Sequence, residues 1–184
     1  MDDAITSLLD QMQAQLGFVP NLHKEMAQAP ALLLTYVEGY RHFRAESGFS
    51  LAEQEVIFLT VSRFNSCTYC MAAHTRVALT TSHVPEEVVT AIRNDQPLPP
   101  GRFYAINAVL RELLNRHGNL TPEIRATAAE AGLETKDLLM MILAISLKTM
   151  SNWTNHIVHS QVDAASAKHV WTPPEVGSSP VQTP

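Results

Sequence analysis

The sequence lacks the features of a membrane protein and of a nucleic-acid-binding protein. No apolar run approaches the roughly 18 residues that cross a bilayer, and the first residues are acidic, unlike a signal peptide. The net charge is −5, and basic residues form no cluster, which argues against a nucleic-acid surface. We therefore expect a cytoplasmic protein that binds neither membranes nor nucleic acids.

The sequence also lacks the alternation of apolar and polar residues that is typical of strands, and its apolar residues recur at helical spacing. We predict an all-α helical bundle with one domain at residues 1–170. Residues 171–184 contain four prolines and are predicted to form a tail that is disordered or packed on a neighbouring subunit. The predicted helices span residues 3–16, 30–48, 50–63, 101–117, 121–131 and 134–158, with another beginning near residue 66, a short one after residue 85 and a linker at 95–101.

Charged residues are scarce, at 17% of the chain, whereas apolar residues make up 46%. So little charge leaves less polar surface than a monomer usually presents, which favours a subunit interface. We expect a homo-oligomer, either a dimer, a trimer or a hexamer.

Cysteine is nearly absent, but Cys67 and Cys70 are separated by only two residues and His74 follows one helical turn later. Paired thiols near a helix start, where the dipole favours a thiolate, are typical of redox chemistry. Asn65 and Ser66 are the candidate N-caps, which would place both cysteines in the first turn. His74 is then within reach of the Cys70 proton. The sequence contains no phosphate loop, no Ser-His-Asp arrangement and no nucleotide fingerprint, so we predict no cofactor.

Two other interpretations of the cysteine pair remain open. Cys67, Cys70 and His74 could hold zinc if Glu55 or another histidine supplied a fourth ligand. The cysteines could also be inert and buried. His156 and His159 form a second conceivable metal pair, although a role at a helix end is more common. We predict no metal site.

Glu55 lies at the centre of an apolar helix, where a carboxylate either orients His74 or points to solvent. An offset of 82 residues aligns Glu55 with Asp137 and His74 with His156, and it replaces both cysteines with polar residues. This echo indicates either a duplicated helical unit or a chance match of amphipathic helices.

The spacing Glu55-x11-Cys67-x2-Cys70-x3-His74 resembles the alkylhydroperoxidase D-like (AhpD-like) group of the carboxymuconolactone decarboxylase superfamily. The segments at 17–22 and 138–156 resemble the peroxidase-related branch of that group. The resemblance implies an AhpD-like helical fold, oligomerisation and a peroxidase or disulfide-reductase activity of the peroxiredoxin type. It also implies that Cys70 attacks a small hydroperoxide, that Cys67 resolves the product, and that His74 and Glu55 relay the proton. A dithiol protein or a small thiol would be the reductant.

One position departs from the family pattern. Alkylhydroperoxidase D proteins carry a relay histidine immediately before the second cysteine, and this chain has Tyr69 there. The decarboxylase branch generally lacks the cysteine pair, so lactone decarboxylation is not expected. A redox sensor or partner-binding module that changes conformation without turnover is the alternative function.

Overall fold

The computed structural model describes residues 3–173 and consists, over that range, of helices and connecting loops without strands. The all-α class predicted from the sequence is therefore confirmed. The helices are α1 (Asp3–Leu16), α2 (Asn21–Met26), α3 (Pro30–Glu46), α4 (Leu51–Phe64), α5 (Thr68–Thr80), α6 (Glu86–Arg93), α7 (Arg102–Asn115), α8 (Pro122–Glu130), α9 (Thr135–Val158) and a final 3₁₀ helix (Ala164–His169).

Helix α4 is the centre of the bundle and packs against α5, α6, α7 and α9. All ten residues from 53 to 62 are buried, which a helix achieves only when neighbours cover every face. Ser50 and Glu53 start this helix with the predicted capping box: the Ser50 amide donates to Glu53 Oε2 at 2.7 Å, and the Glu53 amide donates to Ser50 Oγ at 3.3 Å.

Helices α3 and α9 approach each other closely at Gly39. A Cβ atom at this position would lie 2.7 Å from Cδ2 of Leu147, so any larger residue here would require the Leu147 side chain to move. The approach brings the buried face of α9, including Lys148, next to the aromatic side chains of α3.

Two elements are absent from the sequence prediction. Pro20 ends the first helical pattern, but it also occupies the N-cap position of the short helix α2. The 3₁₀ helix at 164–169 is too short to produce a periodic signal.

The first residue of the predicted tail, Trp171, packs against the helical domain. Trp171 is buried, its indole N–H donates to the Arg93 carbonyl at 3.0 Å, and the Arg63 guanidinium lies 5.4 Å from its ring centre. The rest of the predicted tail, 174–184, lies outside the described residues.

The 82-residue echo does not correspond to a repeated structure. Residues 51–74 form two helices with a turn between them, whereas 133–156 lie mostly in the single continuous helix α9. Among residues 3–173, no helix is long and apolar enough to span a bilayer.

Candidate active site

The cysteine pair lies at the junction between α4 and α5. Ser66 adopts the left-handed conformation, with φ of 54°, and turns the chain so that Cys67 becomes the N-cap of α5. The prediction that Asn65 or Ser66 caps this helix is therefore wrong. The Cys67 sulfur accepts the Cys70 amide N–H at 3.4 Å, as a serine oxygen would at an N-cap, and Cys70 is the third helical residue.

The two thiols occupy different electrostatic environments, although both are free and buried. Burial raises the pKa of Cys70, but a hydrogen bond from Cys67 and the charge of Lys148 outweigh burial and hold that pKa well below its ordinary value. The hydrogen bond with Cys70 and burial raise the pKa of Cys67. Cys70 is therefore the thiol that ionises first, and the Cys67 thiol stabilises its charge.

Glu55 and His74 are in direct contact inside the protein. Glu55 is fully buried, and its Oε2 atom lies 2.8 Å from Nδ1 of His74. A carboxylate only accepts hydrogen bonds, so Nδ1 carries the proton and Nε2 presents a lone pair. Lys148 Nζ lies 2.9 Å from that Nε2 atom and donates to it. The contacts thus form a chain from Glu55 through His74 to Lys148.

Arg44 holds the other oxygen of the Glu55 carboxylate. Its guanidinium pairs with Oε1 of Glu55 and donates to the Tyr40 hydroxyl at 2.6 Å. Burial opposes the charge of Glu55, but His74 and Arg44 outweigh it and lower the pKa of that carboxyl. Burial and the charge of Lys148 lower the pKa of His74, so the imidazole is neutral at neutral pH.

Tyr69 does not occupy the place of a relay histidine. Its hydroxyl donates to Oδ2 of Asp163 at 2.5 Å and accepts the Leu22 amide N–H at 3.4 Å. Asp163 also accepts the Asn21 amide N–H at 2.9 Å. The side chain before Cys70 therefore ties α5 to the start of α2 instead of joining the contacts around His74.

A cavity of about 510 Å³ opens beside Cys70 under the N-terminal helix α1. Cys70, His74 and Lys148 contribute to its wall, whereas Cys67 does not. Most of the remaining wall is apolar or aromatic, with Leu8, Met12, Leu16, Phe18, Leu22, Tyr36, Val37, Tyr40, Tyr69, Ala73 and Val77.

His23 is a polar group in the same wall. Burial and the charge of Lys148 lower its pKa to about 4, so it is uncharged at neutral pH. Its Nδ1 atom is buried and meets no hydrogen-bond partner within the described part of the chain. His23 therefore offers an uncharged polar atom inside a largely apolar cavity.

Of the four predicted site residues, Glu55 contacts His74, Cys67 contacts Cys70, and Cys70 and His74 line the same cavity. The structure does not bring the other predicted metal candidates together: His156 is on the exposed face of α9, and His159 is its left-handed C-cap. In residues 3–173, no group of three or more His, Cys, Asp or Glu side chains is arranged to hold a metal ion.

Sequence reasoning missed three polar residues of the site: Arg44, Lys148 and Ser151. Cys70 Sγ donates to Ser151 Oγ at 4.0 Å. Lys148 carries a sequence signal that could have been used, because it directly follows the largely apolar segment 138–147, where a lysine is unusual unless it has a buried role.

Comparison with known proteins agrees with the resemblance inferred from the motif. Residues 30–112 match the profile of the carboxymuconolactone decarboxylase family. A comparison with the curated proteins finds no match. The matched segment contains Arg44, Glu55, both cysteines and His74, but it ends before α9 and so excludes Lys148.

Solved structures with the same fold include two peroxidase-related proteins. An uncharacterized protein from Silicibacter sp. TM1040 has a TM-score of 0.75 and 21% identity over 89% of this chain and 87% of that chain. An AhpD-core protein from Ralstonia eutropha JMP134 has a TM-score of 0.75 and 20% identity over the same shares of the two chains. The AhpD-like helical fold is therefore confirmed.

A third solved structure with this fold has a different named activity. The debrominase Bmp8, solved as a cysteine-to-alanine variant with 2,3,4-tribromopyrrole, has a TM-score of 0.70 and 19% identity over 91% of this chain and 89% of that chain. At such identities, the likeness establishes the fold alone.

Proposed function

We propose that this protein is a cytoplasmic thiol oxidoreductase that reduces organic hydroperoxides with the Cys67–Cys70 pair. One observation carries the proposal: Cys70, the thiol with the lowered pKa, faces the cavity, while Cys67 lies behind it at the helix cap. A nucleophile exposed to a substrate cavity and a second thiol behind it are the arrangement that peroxide reduction by two cysteines requires.

The reaction has three steps. The Cys70 thiolate attacks the terminal oxygen of the hydroperoxide, the O–O bond breaks, and Cys70 becomes a sulfenic acid as an alcohol leaves. Cys67 then attacks the Cys70 sulfur, which forms the disulfide and releases water. A dithiol, either a protein or a small molecule, reduces the disulfide and returns both thiols.

Glu55 and His74 act in this proposal as positioning residues. Both ring nitrogens of His74 are engaged, one by Glu55 and the other by Lys148. His74 therefore does not present a free lone pair to Cys70, in contrast to the direct transfer expected from the sequence. Glu55 instead orients His74, and His74 holds the Lys148 amine in the wall of the otherwise apolar cavity.

The size and lining of the cavity favour an organic hydroperoxide over hydrogen peroxide. A volume of about 510 Å³ lies within the range of small-molecule sites. The apolar side chains contributed by α1 and α3 would remain in contact with water unless an apolar group covered them, and hydrogen peroxide has no such group.

The test is peroxide consumption by the purified protein with cumene hydroperoxide and excess dithiothreitol. We expect repeated turnover in the wild type and none in Cys70→Ser. In the absence of dithiothreitol, Cys67→Ser should consume about one equivalent and accumulate a sulfenic acid that dimedone traps, because no thiol is present to condense with it. Full activity in Cys70→Ser would refute the mechanism, and a wild type that stops after one equivalent would instead indicate a redox sensor.

A second candidate activity follows from the lining of the same cavity. Tyr36, Tyr40 and Phe18 offer aromatic surfaces beside Cys70, which would suit a halogenated heterocycle such as the tribromopyrrole bound to the structurally similar debrominase. Incubation with 2,3,4-tribromopyrrole and dithiothreitol distinguishes the two activities. Bromide release without hydroperoxide turnover would assign the chain to dehalogenation.

We further propose that the protein assembles into a homo-oligomer through α9. This helix exposes four large apolar side chains along one face, at a spacing of three to eleven residues: Leu139, Ile142, Trp153 and Ile157. Ile157 is 80% exposed, and an apolar face of this kind is stabilised when a second copy covers it.

A further inference from the structure

We propose that Lys148 is a catalytic acid and base of this site: it takes the proton of the Cys70 thiol and gives it to the oxygen that leaves the hydroperoxide. The inference rests on the proposed function and adds a residue that the cysteine motif does not contain. It assigns to α9 a role that the sequence pattern gave to His74.

The position of Lys148 supports this assignment. Its side chain is fully buried, yet it forms part of the cavity wall together with Cys70. Ser151, which lies one turn further along the same face of α9, contacts Cys70 Sγ at 4.0 Å. The amine therefore faces the space in which a hydroperoxide bound next to Cys70 would place its second oxygen.

No carboxylate compensates for the burial of Lys148. Among the ion pairs of residues 3–173 none includes this lysine, and its amine donates to the neutral His74. The face of Phe58 lies 5.7 Å from Nζ. A buried ammonium is costly unless a negative charge compensates for it, and the Cys70 thiolate is the group that can supply this charge.

The other polar groups around the cavity are less suited to proton transfer. His74 uses Nδ1 to donate to Glu55 and Nε2 to accept from Lys148. Burial and the nearby charge of Cys70 raise the pKa of Tyr36, so its hydroxyl does not ionise near neutral pH. Tyr69 donates to Asp163. Lys148 alone among these groups combines several donor protons with a place beside Cys70.

The proton balance closes over one cycle. When the dithiol returns Cys70 to its thiol form, the Lys148 amine takes that proton, leaving a thiolate and an ammonium. The thiolate attacks the terminal oxygen, an S–O bond forms, the O–O bond breaks, and the alkoxide receives the ammonium proton. Cys67 supplies its own proton to the hydroxide released during disulfide formation, so water leaves and Lys148 ends as an amine.

Two substitutions separate the charge of Lys148 from its proton transfer. Lys148→Met removes both while keeping an unbranched side chain. Lys148→Arg keeps the charge but does not release its proton at neutral pH. Lys136→Met, on the exposed part of the same helix, is the matched control.

The first measurement is the pH dependence of Cys70 alkylation by iodoacetamide, with the modified cysteine identified by mass spectrometry. Tyr36, Cys67, Tyr69, His74 and Lys148 interact with this thiol from α3, from α5 and its N-cap, and from α9. The same cavity is also lined by His23, Arg41, Arg76 and Asp163. We expect the pH at which Cys70 alkylation is half-maximal to rise in Lys148→Met and to stay low in Lys148→Arg and Lys136→Met. An unchanged midpoint in Lys148→Met would overturn the proposal, whether or not the protein reduces peroxides.

The second measurement compares two oxidants in single-turnover experiments. The alkoxide that leaves tert-butyl hydroperoxide needs a proton, whereas the acetate that leaves peracetic acid does not. In Lys148→Arg, we expect the rate constant for Cys70 oxidation to fall about 100-fold with tert-butyl hydroperoxide and less than about threefold with peracetic acid. Equal losses with both oxidants, or full activity with tert-butyl hydroperoxide, would overturn the role of proton donor.

These results also separate this inference from the proposed function. A wild-type protein that reacts with neither oxidant refutes peroxide reduction, while the alkylation profile still decides whether Lys148 takes the Cys70 proton. Circular dichroism melting of each variant shows whether it is folded. Lys148→Met and Lys148→Arg differ in side-chain shape, so a packing defect does not produce the expected pattern in both.

Discussion

Glu55→Gln should destabilise the protein in a way that depends on pH. The carboxylate is fully buried and accepts hydrogen bonds from Arg44 and His74. Glutamine retains one acceptor oxygen, so the variant loses one hydrogen bond between charged groups, worth about 1.5–3 kcal/mol. It also leaves the Arg44 guanidinium, which is 22% exposed, without its countercharge. We therefore expect the free energy of unfolding to fall by about 3 kcal/mol at pH 7.

The pH dependence follows from the lowered pKa of Glu55. Its value in the unfolded chain is near 4.5, and the folded pKa is lower. Such a group stabilises the fold above the unfolded pKa, and the stabilisation is lost as the pH falls toward the folded pKa. The difference in the free energy of unfolding between wild type and Glu55→Gln therefore narrows as the pH falls below the unfolded pKa toward the folded pKa.

Urea unfolding followed by circular dichroism at several pH values measures the loss of unfolding free energy at pH 7 and its dependence on pH. The difference between the two proteins isolates Glu55, because the other carboxylates are common to both. Glu130→Gln, at the exposed end of α8, is the control and should differ little from wild type at any pH. A difference below about 1 kcal/mol at pH 7, or one that stays constant to pH 3.5, would refute the reasoning.

Two further predictions concern Tyr69 and the exposed face of α9. Tyr69→His introduces the histidine that alkylhydroperoxidase D proteins carry at this position. Because Tyr69 donates to Asp163, we expect no gain in cumene hydroperoxide turnover and a stability loss of about 1 kcal/mol. A tenfold gain in turnover, which corresponds to roughly 1.4 kcal/mol, would contradict this geometry. Ile157→Asp should lower the mass measured by sedimentation velocity, whereas Glu130→Lys should not, and an unchanged mass in Ile157→Asp would exclude α9 as the interface.

Local chemistry made much of the fold predictable. Ser50 with Glu53, Pro30 and Pro85 marked helix starts that the structure has at or next to those residues. The N-cap of α5 was misplaced because Ser66 is the better capping residue by side chain alone. Its left-handed backbone, which the tight α4–α5 junction imposes, moves the cap to Cys67.

The site was predictable only where its residues share a local pattern. Cys67, Cys70 and His74 lie on one helix, and the apolar surroundings of Glu55 suggested burial. Arg44 and Lys148 come from α3 and α9, so their proximity depends on how distant helices pack. The close approach at Gly39 that brings these two helices together has no signature in the sequence.

The cavity is assembled from several stretches that lie far apart in the chain. The part of its wall that holds Cys70, His74 and Lys148 comes from α5 and α9, whereas Leu8, Met12 and Phe18 come from α1 and the turn after it. These three residues take no part in the hydrogen bonds that join Glu55, His74 and Lys148. Substrate preference can therefore diverge between related proteins, or be altered by engineering, through changes near the N-terminus that leave the reactivity of Cys70 intact.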